Sequence, residues 1–270
     1  MSSIEVNGTR IYYEKRGRGP AVLFVSGATG DAGHWTTVAD ILADAYTVIT
    51  YDRRGNSRSP RPPGWTSTTI GEQADDTAAL LRGLELVPAI VFGTSAAAHI
   101  LADLYLRHPD VLQAAIFHEP AFPSDIPNAD AVRAARQARV EEGWPGVARA
   151  LRWSCTCAGW RAMRSMSRSI RSCANGCSAT RGPVRYRGGF LPRLRAHTRP
   201  ARSDTSAPRG HSGRSNRDSA TAGHWRYEAT RWLAAHFRTA VIDLPGAHMG
   251  YLGQPEHFAR ALRPILDRLT

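Results

Sequence analysis

The chain has 270 residues, of which 42% are hydrophobic, and it carries a formal net charge of +12 at pH 7. A chain of this length can bury a substantial core as one large domain, so a second domain is not required. Its amino terminus lacks the basic start and long apolar run of a secretory signal, and no stretch reaches the length of a transmembrane helix. We therefore expect a soluble, cytoplasmic protein with no membrane partner.

The positive charge is confined to one segment, residues 151–226. This segment contains 16 arginines and only two acidic residues, whereas the other 194 residues carry a net charge of −2. It also contains all four cysteines and 11 serines, but only 6 Leu, Ile, Val or Phe residues among its 76 positions. So few large apolar residues cannot bury enough surface to offset the entropy of folding. The composition predicts that part of this segment is disordered.

Before this segment, the sequence predicts strands that alternate with helices. The Asn7-Gly8 pair between two short strands is typical of a β-hairpin, because both residues readily adopt positive φ angles. Short apolar runs further along predict buried strands, and apolar residues at helical spacing predict amphipathic helices. The predicted strands are residues 3–6, 9–15, 21–25, 46–51, 89–93 and 111–118, and the predicted helices are 34–45, 69–84 and a stretch ending near 108.

Helical patterns also occur beyond residue 118, and the alternation of strand and helix returns near Tyr227. The predicted elements are helices at 131–142, 146–152, 228–236 and 255–269, and a strand at 240–244. Alternation at this spacing indicates an α/β fold with a mostly parallel central sheet, helices on both faces and an N-terminal antiparallel hairpin.

We predict a single domain over residues 1–270. Its core lies in 1–150 and 227–270, and 151–226 forms an atypical or disordered cap region.

The segment Ile90–Ala98 combines an apolar strand, a turn that contains Ser95, and the start of a helix. A serine at such a turn projects its hydroxyl from the sheet edge, beside the amides that begin the helix. The alternative is an ordinary connection in which Ser95 only caps the helix.

Two other loops are predicted at the same edge of the sheet. Residues 26–30 follow a buried strand with small side chains that let a ligand approach the backbone, and His248 lies in the loop after the last strand. Ligands of parallel sheets bind at the carboxyl ends of the strands. A serine, a small-residue loop and a histidine are therefore predicted to lie on one side of the molecule.

Four motifs, in this order along the chain, resemble those of the α/β-hydrolase family. They are Ser26-Gly27-Ala28, the loop Tyr51–Ser59, the turn Gly93–Ala97 and the segment Pro245–His248. The resemblance covers about 1–150 and 227–270, and it implies the α/β-hydrolase fold.

The resemblance also implies roles for individual residues. Ser95 would be the nucleophile that forms an acyl-enzyme, and His248 would be its general base. The oxyanion would be held by the backbone amides of Ala96 and of Gly27 or Ala28. No cofactor and no metal are implied, and the partner would be a small acyl substrate.

This chain departs from the family pattern at two positions near these motifs. Ala97 replaces the last glycine of the GxSxG turn, and Ser26 stands where many members have histidine. Alanine is the mildest replacement for glycine, so we expect the turn to form.

The acid of the triad is harder to assign. The resemblance implies a loop after the penultimate strand, near 200–222, but no apolar strand is evident there. Glu119, at the end of the strand after the nucleophile helix, is a possible substitute, since some hydrolases of this fold place their acid there. The alternative is that Glu119 is a structural carboxylate before Pro120.

Three interpretations compete for the segment 151–226. Its cysteines are spaced CxC, fifteen residues, CxxxC, which does not match the CxxC pairs of zinc ribbons. Arginines interleaved with aromatic residues are compatible with a nucleic-acid arm, although we expect no nucleic-acid partner. The hypothesis we favour is two compensating frame disruptions in GC-rich coding DNA, because the chain has one lysine against 34 arginines.

The sequence thus predicts a serine hydrolase that acts on an ester or related acyl substrate. Cofactor-free peroxidase and acyl-transfer chemistry remain open. The alternative is a catalytically impaired or inactive homologue that lacks the triad acid, either a binding protein or a non-functional product.

Overall fold

The computed structural model describes residues 2–121, the segments 185–186, 189–190 and 193–197, and residues 226–270 except 227, 236 and 238. The helices predicted at 131–142 and 146–152 lie outside the described residues. The four cysteines, on which the zinc interpretation rested, also lie outside them.

Ten strands are described in the chain. They are β1 Ser2–Val6, β2 Thr9–Arg16, β3 Ala21–Val25, β4 Thr47–Tyr51, β5 Ala89–Thr94, β6 Leu112–His118, β7 Arg185–Tyr186, β8 Gly189–Phe190, β9 Arg193–His197 and β10 Val241–Ile242. Eight of them form one sheet in the order β1-β2-β4-β3-β5-β6-β9-β10. From β4 to β10 all neighbours are parallel, whereas β2 is antiparallel to both β1 and β4. The predicted hairpin and parallel sheet are therefore confirmed.

Helices cover both faces of this sheet. They are α1 Thr36–Leu42, α2 Ile70–Gly83, α3 Ala97–Arg107, α4 at 228–235, α5 Gly250–Gly253 and α6 Pro255–Asp267. On one face α2, α3 and α4 bury apolar residues against β5 and β6, and on the other face α1 and α6 do so. Within the described residues, no helix is long and apolar enough to cross a membrane.

The central strands are apolar on both sides because both sides are covered. All five residues of β3 are buried, and so are all five of β4. Strands of a parallel sheet between two helix layers have this pattern, which explains why short apolar runs located them correctly in the sequence.

The main difference from the sequence prediction is β9. It lies at 193–197, inside the arginine-rich segment and earlier than the 200–222 window in which the penultimate strand was expected. It pairs in parallel with β6 on one side and with β10 on the other. Such pairing uses backbone groups that every residue carries, so it does not require the apolar run that sequence reasoning looked for.

A change in α6 tests the core beneath the sheet. Leu262 is fully buried, and Leu262→Ala is expected to lower the free energy of unfolding by about 2–5 kcal/mol, since it removes buried apolar volume and leaves a cavity. Urea unfolding followed by circular dichroism measures this loss. The matched control is Arg260→Ala on the exposed side of the same helix, expected to change stability by less than about 0.5 kcal/mol. Equal losses in the two variants would contradict the described packing.

Candidate active site

Ser95 occupies a strained turn between β5 and α3. Its φ angle is 54°, in the left-handed region that non-glycine residues rarely adopt. Three backbone hydrogen bonds hold it there: its N–H donates to the His118 carbonyl at 2.9 Å, and its own carbonyl accepts from Ala98 at 3.1 Å and from Ala121 at 3.2 Å. Strain that is held in this way from several sides is typical of functional turns.

The substitution of alanine for glycine at position 97 does not prevent this turn. Ala97 is the first residue of α3 and lies in the core with 1% of its surface exposed. The expectation that the turn forms with alanine is therefore confirmed.

Glu119 and His248 are in direct contact, although 129 residues separate them in the chain. Glu119 Oε2 lies 2.6 Å from His248 Nδ1. The glutamate side chain is 7% exposed and the imidazole is 26% exposed, so one face of the pair is accessible. With Nδ1 engaged by the carboxylate, Nε2 on the other side of the ring is left for proton exchange.

Unusual backbone angles orient both of these residues. Glu119 has a φ angle of 43°, directly after β6, and Ala247 before the histidine has a φ angle of 51°. Gly246 has a φ angle of 87°, and a Cβ atom there would lie 2.5 Å from Gly250 Cα. The loop after β10 therefore requires glycine at 246, and this tight turn presents His248 to Glu119.

The small-residue loop after β3 lies against the serine. A Cβ atom at Gly27 would approach Ser95 Cβ to 3.2 Å, so the backbone of this loop packs directly on the nucleophile candidate. The loop that follows β4 holds it from the other side. Arg53 Nη2 donates to the carbonyls of Gly27 and Ala28, each at 2.8 Å, and Asn56 Nδ2 donates to the carbonyl of Gly30 at 2.7 Å.

Ser26 has a structural role at the position where the family often has histidine. Its Oγ accepts a hydrogen bond from Trp35 Nε1 at 2.8 Å and donates one to the Asp31 carbonyl at 2.8 Å. This side chain therefore connects the two ends of the small-residue loop.

A cluster of rings packs beneath the glutamate and the histidine. The His118 ring is nearly parallel to His248, with centroids 6.4 Å apart, and it contacts Phe92 at 5.4 Å. Tyr251 stacks on Trp35 at 4.2 Å. His118 Nδ1 lies 2.9 Å from Thr94 Oγ1, so the imidazole is fixed in this cluster.

The structure brings the residues that the sequence singled out together in two pairs, and among the described residues no hydrogen bond joins Ser95 to His248. Gly27 contacts Ser95, Glu119 contacts His248, and the backbone bond between Ser95 and His118 joins the two pairs. Sequence reasoning did not identify Arg53 as part of the site. It lies in the motif Tyr51–Ser59. That motif resembles the family, but the resemblance alone assigns no role to the Arg53 side chain.

Comparison with known proteins finds similarity in the region that contains Ser95 and Glu119. A family model described as alpha/beta hydrolase fold matches residues 20–150. The chain is 43% identical over 118 residues to a protein named uncharacterized hydrolase YraK of Bacillus subtilis (strain 168), and 34% identical over 116 residues to a zearalenone hydrolase of Bionectria ochroleuca. These matches cover 44% and 42% of this chain and 44% of each relative, so the chain spans less than half the length of the curated relatives it matches.

A solved structure has a similar fold. A thermophilic esterase from Thermogutta terrifontis superposes with a TM-score of 0.61, covering 100% of this chain and 99% of that chain at 19% sequence identity. At this identity the likeness shows a common fold.

The ring cluster makes stability depend on pH in the alkaline range. Burial raises the pKa of Tyr251 to about 12 from its ordinary value of 10.0; a hydrogen bond with Thr94 opposes the shift, and the charge of Glu119 adds to it. A raised pKa means that the neutral phenol stabilises the folded state up to pH about 10, and that this contribution is lost as the pH rises towards 12.

We therefore expect the free energy of unfolding to fall more steeply between pH 10 and 12 in the unaltered chain than in Tyr251→Phe. Urea unfolding at intervals across this range measures the two slopes. Tyr51 is also buried and keeps its raised pKa in both proteins, so it cancels in the comparison. Equal slopes would contradict the assignment of this pH dependence to the raised pKa of Tyr251.

Proposed function

We propose, on the premise that this chain belongs to the α/β-hydrolase fold family, that it hydrolyses an ester or related acyl substrate. In this proposal Ser95 is the nucleophile, His248 is the general base and Glu119 is the acid of a catalytic triad.

The contact between Glu119 and His248 is the observation that carries the proposal. A serine hydroxyl is a weak nucleophile unless a base accepts its proton, and the base needs a partner that holds its tautomer and stabilises its cation. Glu119 Oε2, at 2.6 Å from His248 Nδ1, supplies that partner. The alternative of an impaired homologue was based on the lack of an acid, and this contact counts against it.

In the first half of the reaction, Ser95 Oγ attacks the carbonyl carbon of the substrate while His248 Nε2 accepts the hydroxyl proton. A covalent bond forms between Oγ and carbon, and the carbonyl oxygen becomes an oxyanion. The amides of Ala96 and of Gly27 or Ala28 donate hydrogen bonds to that oxygen. The bond to the leaving group then breaks, and the proton on His248 passes to the departing alcohol, which leaves an acyl-enzyme.

In the second half, water attacks the acyl carbon and His248 accepts its proton. The tetrahedral intermediate collapses, the bond to Ser95 Oγ breaks, and the proton returns from His248 to the serine. The products are one carboxylic acid and one alcohol, with the enzyme in its starting state. Throughout, Glu119 accepts the hydrogen bond from Nδ1–H.

The choice of an acyl substrate follows from the nucleophile and is supported by the relatives. A serine forms an ester with an acyl group that water can release, whereas the epoxide hydrolases and dehalogenases of this fold use a carboxylate as nucleophile. Two relatives that match this chain are named hydrolases, and one protein of the same fold is named an esterase.

Labelling with a fluorophosphonate tests the nucleophile. The probe is expected to react covalently with Ser95, because an activated serine attacks its phosphorus, and the adduct should be located by mass spectrometry of the digested protein. Ser95→Ala should lose the label, and His248→Ala should label far more slowly. A folded protein that does not react, or a label that persists in Ser95→Ala, would contradict the proposal and favour the inactive homologue.

Substitution of the carboxylate tests the acid. Glu119→Gln is expected to lower kcat for p-nitrophenyl acetate by roughly 10⁴-fold, because the amide no longer holds the required tautomer or stabilises the imidazolium. Glu256→Gln makes the same chemical change at an exposed position in the first turn of α6 and should leave kcat unchanged. If Glu119→Gln retained the activity of the control, Glu119 would be only a structural carboxylate.

A further inference from the structure

Arg53 is a buried cation whose hydrogen bonds are directed at the candidate oxyanion loop. It lies in the loop that follows β4, and the residue is 5% exposed. Nη2 donates to the carbonyl oxygens of Gly27 and Ala28, each at 2.8 Å, while Nη1 donates to Gln73 Oε1 at 2.8 Å. One end of the guanidinium is therefore anchored on α2, and the other end holds two consecutive peptide groups.

Holding these carbonyls also determines where the neighbouring amides point. In a planar trans peptide, the C=O of one residue and the N–H of the next are directed to opposite sides. When Arg53 binds the carbonyls of Gly27 and Ala28, the N–H groups of Ala28 and Thr29 are turned away from the guanidinium. A Cβ atom at Gly27 would lie 3.2 Å from Ser95 Cβ, so this part of the loop packs against the nucleophile candidate.

The charge of Arg53 adds a second effect to this orientation. A charged donor forms stronger hydrogen bonds than a neutral one, and hydrogen bonds in a chain polarise one another in a buried environment. A peptide whose carbonyl binds a guanidinium is therefore a better N–H donor on its other side. At the loop, that improved donor is the one expected to meet the oxyanion.

From these contacts we infer that Arg53 is a positioning residue of the oxyanion hole. It fixes the Gly27-Ala28 peptide so that the Ala28 amide faces Ser95, and it strengthens that amide as a donor to the developing negative charge. The inference builds on the proposed function, since it assigns the Ala28 amide, of the two candidates at 27 and 28, to the reaction.

The rest of the loop has its own supports. Asn56 Nδ2 binds the Gly30 carbonyl at 2.7 Å, and Asp52 Oδ1 accepts from the Ala32 amide at 2.8 Å. Ser57 Oγ donates to Asp31 Oδ2 at 2.9 Å. Loss of Arg53 is therefore expected to disturb the peptides at 27 and 28 while the far end of the loop stays in place.

The test compares the same substitution at two adjacent arginines. Arg53 and Arg54 are both buried, but Arg54 forms ion pairs with Asp76 at 2.7 Å and Glu72 at 2.9 Å and does not contact the loop. Arg53→Lys and Arg54→Lys keep the charge and remove the planar fork. Arg53→Met also removes the charge. Thermal unfolding of each variant establishes that it is folded.

For p-nitrophenyl acetate we expect Arg53→Met to lower kcat by roughly 10²- to 10³-fold, the loss typical of one oxyanion donor, with KM changed by less than about twofold. Arg53→Lys should fall between this variant and the unaltered chain, and Arg54→Lys should keep its kcat. A trifluoromethyl ketone, whose hemiketal with Ser95 places an oxyanion in the hole, should lose affinity in proportion to the loss of kcat/KM.

Two results would overturn the inference. The first arises when the unaltered chain is active, but folded Arg53 variants lose no more kcat than Arg54→Lys or bind the ketone as tightly as the unaltered chain. Arg53 would then be a structural residue only. If the unaltered chain neither hydrolyses the ester nor reacts with fluorophosphonate, the proposed function is wrong and the role of Arg53 is excluded with it. If Arg53→Met fails to fold, Arg53→Lys alone decides between these outcomes.

Discussion

The arrangement of the site depends on the parallel pairing of β5 with β6. In this pairing Thr94 lies opposite His118. Ser95 directly follows Thr94, and Glu119 directly follows His118. The Ser95 amide donates to the His118 carbonyl at 2.9 Å, so the ladder extends one step into the turns that follow both strands. A shift of one residue in this register would direct both side chains to other positions. The relative position of the serine and the carboxylate is therefore set by backbone hydrogen bonds in the buried centre of the sheet.

His248 belongs to a distant part of the chain, and other contacts hold it in place. The loop after β10 turns sharply at Gly246, and the ring of His248 lies over His118 in the ring cluster. Arg53 supports the small-residue loop in a different way, because it donates hydrogen bonds to two of the loop's carbonyl oxygens. Polar contacts thus fix the small-residue loop, whereas a tight turn and ring packing fix the loop that carries His248.

Much of this could be predicted from the sequence, for physical reasons. Strands such as β3 and β4 are apolar throughout because helices cover both faces, and the turn at Ser95 follows one of these runs. β9 could not be found, because Arg193, Arg195 and His197 do not form an apolar pattern and its position rests on backbone pairing with two neighbours. The contact of Glu119 with His248 spans 129 residues and depends on the path of the chain. In the small-residue loop Arg53 binds backbone carbonyl oxygens, so the residue types at positions 27 and 28 do not reveal this contact.

The position of Glu119 directly after β6 also bears on how far the proposed site depends on the segment 151–226. Ser95 and Glu119 follow adjacent strands within residues 89–119, and His248 lies beyond residue 226, so none of the three belongs to the arginine-rich segment. Under the hypothesis of two compensating frame disruptions, an acid on a loop after β9 would have been lost. With the proposed acid directly after β6, the same disruptions would leave all three side chains of the proposed triad in place.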